Sequence, residues 1–229
     1  IKEHELIKRT EDHLRFLPVS DRQRYLSLMD SFIESPASKG HESGGDEPLA
    51  SANPDELSEE LLPDEDIYLE NAGLVIVAPY LPRLFEMLKL TEKGAFISRT
   101  HAERACHLIQ YLVDECCNTP EYQLVLNKQL CGISSGTPII REIEISADEI
   151  EAINGLLMGI IQNWKKIGNT SIAGLRESFL QRAGRLQLHD DAWQLKVQSS
   201  AYDMLLDHLP WSISTIKFPW MKRVIYVEW

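Results

Sequence analysis

The chain has no apolar run of the ~18–20 residues that a membrane-spanning helix requires, and nothing at its start reads as a secretory leader. It has no basic excess: 23 lysines and arginines stand against 35 aspartates and glutamates, a formal charge of −12. That balance speaks against nucleic acid as a partner, because phosphate binding depends on clustered cations. Cysteine is scarce and irregularly placed, at Cys106, Cys116, Cys117 and Cys131. The adjacent pair is poorly set to bridge itself, so reduced thiols in a protein folded in the cytoplasm are expected. No internal repeat is visible. The chain opens on Ile1 rather than Met, which fits a processed start or a piece of something longer.

The acidity is local. Residues 34–70 hold twelve carboxylates against Lys39 alone, leaving the remainder nearly neutral. From 35 to 66 periodicity is lost and Pro, Gly, Ser and Glu dominate, as in a solvated, flexible linker. Residues 1–34 read as two helical pieces split at Pro18, the second with Tyr25, Leu28, Met29 and Phe32 on one face. Residues 67–229 read as the folded domain. With 44 % apolar residues, the chain can bury a sizeable core.

Within that domain helical signals prevail. Leu74, Val75, Ile76 and Val77 form a short β-branched run after Gly73. Pro79 and Pro82 suit a helix start followed by Leu84, Phe85, Leu88 and Leu90, with Gly94 closing the unit. Thr100 and Glu103 spell a capping box for a helix that buries Ala105, Leu108, Ile109, Leu112 and Val113. Pro120 opens another with Leu124, Val125 and Leu130 inside. Ser146 and Glu149 form a second capping box, heading a helix to about 167. A helix over 172–182 follows. The period then changes: 185–188 and 193–197 flank His189, Asp190 and Asp191 as a β-hairpin. A short helix over 201–209 and a strand over 224–227 finish the chain. The expected class is α+β and mostly helical: a helical bundle with a small antiparallel sheet, the hairpin plus the C-terminal strand.

The C-terminal sixty residues organise the rest, since four of the five tryptophans lie there: Trp193, Trp211, Trp220 and Trp229. Each large ring removes roughly 150–250 Å² from water when buried. Trp211 and Trp220, each beside a proline (Pro210 and Pro219), read as core with an exposed partner-binding patch as the alternative.

Catalytic and metal motifs fail on context. Gly132, Ser134 and Gly136 match the letters of a nucleophile elbow, but a helix precedes the serine where a strand is required. His101, Cys106 and His107 share a helix with Cys116 and Cys117 near its end, without the paired spacing of a zinc site. His189, Asp190 and Asp191 are consecutive turn residues that point apart. Arg176, Arg182 and Arg185 on a helix and hairpin imitate a winged helix, yet the neutral domain and its nearby acids oppose DNA binding. No enzyme, cofactor or metal is expected.

Several stretches together go further. Residues 67–77 with Pro79-Tyr80-Leu81-Pro82, residues 102–112 and 121–132, and Gly168-Asn169-Thr170-Ser171 are the first. Leu209-Pro210-Trp211-Ser212, Ile216-Lys217-Phe218-Pro219-Trp220-Met221 and Val227-Glu228-Trp229 complete them. In this order, over residues 67–229, the chain resembles the contractile injection system tape measure protein family; residues 1–66 carry no such signal. The resemblance implies a structural component of a phage-tail-like particle, in which a contractile sheath drives an inner tube into a target cell. The tape measure occupies the tube lumen during assembly and sets tube and sheath length. Trp211, Trp220, Trp229, Pro210, Pro219, Asn71 and Asn169 are its candidate partner-binding or motif residues. Inner tube, baseplate or spike proteins are the expected partners, with self-association allowed. The expected location is cytoplasmic during assembly and then inside the particle. Even a continuous helix of this length would reach only about 340 Å at ~1.5 Å per residue. Residues 67–229 are therefore expected to be an anchoring or initiation end. An assembly chaperone or adaptor is the alternative.

Overall fold

The computed structural model describes residues 65–229; the expected N-terminal helices and acidic linker lie outside the described residues. The most regular alternation in the chain builds the centre of a sheet. In Ala192–Val197 (β5), Trp193, Leu195 and Val197 are buried while Gln194 and Lys196 face water, the period of a strand covered on one side. Its hairpin partner is Gly184–His189 (β4), in register from Gly184↔Val197 to His189↔Ala192. The two-residue turn is Asp190 and Asp191, with Asp190 at φ 52, which a short polar side chain tolerates.

The C-terminal strand Val224–Glu228 (β7) does join the hairpin, but parallel to β5, with Trp193↔Ile225 and Leu195↔Val227. The sheet is therefore mixed, not purely antiparallel. A parallel neighbour needs a crossover, and residues 198–223 supply it through the 3-10 helix Ala201–His208 and the edge strand Thr215–Ile216 (β6). Ile67–Leu69 (β1) closes the other edge against β4, giving the order β1-β4-β5-β7-β6.

The run at 74–77 is not a strand. It lies in the 3-10 helix Ala72–Ile76 and the turn after it, every residue buried. Uniform burial makes such a segment apolar all round, and periodicity cannot separate a buried turn from a buried strand. Gly73 is required here: a Cβ would stand 1.7 Å from the Phe179 carbonyl oxygen.

Helix Leu81–Met87 (α1) follows, with Pro82 in its first turn, where a missing N–H costs nothing. Gly94 belongs to a second, tiny hairpin, Thr91–Glu92 (β2) and Ala95–Phe96 (β3), turned by Lys93 and Gly94 at φ 53 and 80. Helix Arg99–Asp114 (α2) begins at Ser98, two residues before the expected cap, and Glu103 pairs with Arg99 instead of capping. Its expected apolar face is buried, together with Cys106, His107 and Gln110. The 3-10 turn Glu121–Leu124 leads into Val125–Leu130 (α3).

Helix Ala147–Asn163 (α4) carries the capping box as expected: the Ser146 hydroxyl accepts from the Glu149 N–H, and Glu149 accepts from the Ser146 N–H. It stops at Trp164, whose buried indole donates to the Leu205 carbonyl at 3.2 Å. Ile172–Leu175 (α5) then widens into a π turn over Arg176–Leu180. The helices, the buried turn over 72–76 and the inner face of the sheet share one hydrophobic core.

Candidate partner-binding groove

Four indole N–H groups sew the core together. Besides Trp164, Trp193 donates to the Gln129 side chain at 2.8 Å, Trp211 to the Ile76 carbonyl at 2.9 Å and Trp220 to the Leu130 carbonyl at 2.9 Å. A buried indole donor left unpaired costs roughly 1–3 kcal/mol, so each bond fixes where its loop can lie. Trp211 packs edge-on against Tyr80, ring centres 5.0 Å apart, and Trp220 sits among Phe85, Phe96 and Phe218. Both rings are half-buried, while the adjoining Pro210 and Pro219 are exposed.

Trp229 differs. Its ring is half-buried, and its Nε1 is buried without a hydrogen-bond partner among the described residues. The Arg182 guanidinium lies 5.6 Å from the ring centre and is itself paired with Asp203. Beside this stack opens a groove of about 580 Å³ between the 3-10 helix over 201–208, the loop over 209–214 and β7. Leu206, Leu209, Trp211, Ile213, Val227 and Trp229 line it, with Met204, Asp203 and Asp207 on its rim. Met204 is 72 % exposed. Ser212 and Ser214 share the lining with these apolar residues and Asp207 stands exposed, so the groove suits an amphipathic segment with a basic flank.

The remaining candidate residues lie elsewhere. Asn71 is buried in an amide cluster, donating to Gln110 at 2.9 Å and to Asn127 at 2.8 Å, while Asn127 donates to the Cys106 carbonyl. Asn169 is exposed in the loop before α5. Neither lines the groove. Gln110, Asn127 and the Arg182–Asp203 pair escaped sequence reading, because polar residues inside apolar stretches carry no periodic signature.

The motifs weighed for chemistry have structural employment. Gly132 follows α3 at φ 72, and Ser134 accepts from Lys222 in the loop beyond. Cys106 and Cys131 are buried neighbours, and burial pushes the Cys131 thiol well up. Burial likewise lowers the His107 pKa, opposed by its hydrogen bond to the Ile140 backbone. Among the described residues no group of three or more His, Cys, Asp or Glu is placed to hold a metal ion. Arg176 donates to the Leu112 carbonyl and pairs with Glu115, and Arg185 pairs with Asp66 at 3.3 Å. With Arg182 held by Asp203, all three arginines are engaged within the chain. No helix of the described residues is long and apolar enough to cross a membrane.

Compared with known proteins, the chain matches over residues 9–229 the family model described as contractile injection system tape measure protein. The match reaches further toward the N-terminus than the motifs at 67–229 alone. No curated protein and no solved structure matches.

Proposed function

The chain belongs to the contractile injection system tape measure protein family, and from that premise we propose that residues 67–229 are the folded anchoring or initiation end of the length-setting component. Family membership gives the chain a structural role in such a system and, with it, contacts to other parts of the particle. The proposal adds where and how. The domain docks on inner tube, baseplate or spike proteins, in the cytoplasm during assembly and afterwards inside the particle, and any measuring is done by chain outside it.

One observation carries this reading. The longest helix of the described residues, α4, has 17 residues, which is only about 25 Å at ~1.5 Å per residue. A ruler is an extended object. Here the Trp-bearing motifs are spent on holding short elements to one core, while the groove beside Trp229 is left open. That combination suits a plug or anchor, with Trp229 and Asp207 at the contact.

The test is made in producing cells with the full-length chain carrying Asp207→Lys or Met204→Asp, both at the rim and outside the core. Fewer assembled particles, with the variant chain still folded and abundant, is the expected result. Normal particle yield with both variants would reject this groove as the anchor. A chain needed for assembly but missing from purified particles would instead mark an assembly chaperone or adaptor.

A further inference from the structure

A second surface stands apart from the groove at Trp229. Helix α4 buries Ile153, Leu157, Ile160 and Ile161, and its opposite side runs along an open trough of about 610 Å³ shared with α1. Gly155 and Gly159 sit in that trough. Among the described residues a Cβ added to either meets nothing within 4 Å, so packing among them does not require glycine. Mid-helix glycine weakens a helix, and its usual return is close approach by another backbone. The trough is apolar, with Ala152, Leu156 and Met87 in its wall. Met87 is 56 % exposed.

Charge identifies the occupant. Asp148 and Glu151 stand at one end of α4 and Lys165 and Lys166 just beyond the other; all four are exposed and carry no ion-pair partner among the described residues. We infer that the trough receives α4 of a second copy of this chain, antiparallel, about a two-fold axis passing near Leu157. In that register Gly155 faces Gly159 of the second copy, and Asp148 meets Lys166. Each contact occurs twice, as a two-fold interface demands. A parallel pairing would set acid on acid and is disfavoured. A trough ~25 Å long and about two helix diameters wide covers on the order of 500 Å² per copy. The total near ~1,000 Å² is at the lower limit for a specific interface, so the dimer is weak, with dissociation in the micromolar range.

Sedimentation velocity of the full chain from about 1 to 100 µM tests it. The expected result is a monomer–dimer equilibrium that Gly155→Gln with Gly159→Gln weakens at least about tenfold, while circular dichroism stays native because both positions open to free space. Lys166→Glu and Asp148→Lys should each weaken self-association, and mixing the two variants should restore it, since the mixed pair recovers both ion pairs. A monomer at every concentration overturns the inference. So does a dimer that is indifferent to the glycine variants and to the charge exchange.

Discussion

Gly132→Ala is a one-carbon change with a large expected effect. At φ 72 the residue is left-handed, which costs an alanine about 1–2 kcal/mol. The added Cβ would also stand 2.3 Å from the Trp220 carbonyl oxygen. That backbone cannot slip aside freely, because the Trp220 indole is bonded to the Leu130 carbonyl and its ring is wedged among three phenylalanines. Moving the loop gives up a hydrogen bond worth about 1 kcal/mol and part of the aromatic packing. The total is about 3–4 kcal/mol. For a domain of this size ~1 kcal/mol moves Tm by roughly 2–4 °C, so Tm should fall by about 10 °C. Urea unfolding followed by tryptophan fluorescence at sub-micromolar protein reads it, with Gly155→Ala as the control. There φ is ordinary and the Cβ meets free space among the described residues, so stability should rise by about 0.5–1 kcal/mol. If Gly132→Ala came within ~0.5 kcal/mol of the parent, or the two changes acted alike, the close-approach reasoning would fail.

Trp211→Phe keeps the ring but abandons the bond to the Ile76 carbonyl, and chemical unfolding should show a loss of about 1–3 kcal/mol from the orphaned carbonyl and thinner packing. Burial pushes the Glu149 carboxyl upward, but hydrogen bonds from Arg104 and Ser146 outweigh it and hold the pKa below the ordinary value. A lowered folded pKa means that this stabilisation is full above ~4.3 and is lost as pH falls through the folded value. Glu149→Gln should therefore lose stability at pH 7, and the gap to the parent should close in acid unfolding titrations. Burial lowers the His107 pKa, so below ~6.5 the unfolded chain takes up a proton more readily than the native state. Stability should decline from pH 7 to 5, and His107→Gln should flatten that slope.

The hairpin, the second capping box and the buried face of α2 were legible because each rests on local pattern: alternation, a four-residue cap and helical spacing. The α+β class followed from them. What escaped was set by tertiary context. The run at 74–77 is apolar for burial on every side, which erases its period. Direction in the sheet is decided by the crossover over 198–223, and three strands of two residues each (β2, β3 and β6) are too short to carry a pattern. At the groove, Trp211 and Trp229 were visible as candidates from composition and motif alone. The place of Asp207 at the groove required the 3-10 helix to be set beside β7. The trough on α4 was hidden because Gly155 and Gly159 sit within a well-formed helical stripe, and what marks that face is the free space around them among the described residues.

Particle length tells whether this domain anchors while chain outside it measures. Electron microscopy would compare particles from cells whose copy of the chain carries in-frame deletions and insertions upstream of Ile67, with residues 67–229 intact. Length should shift with the number of residues removed or added while yield holds. Constant length at normal yield would contradict it.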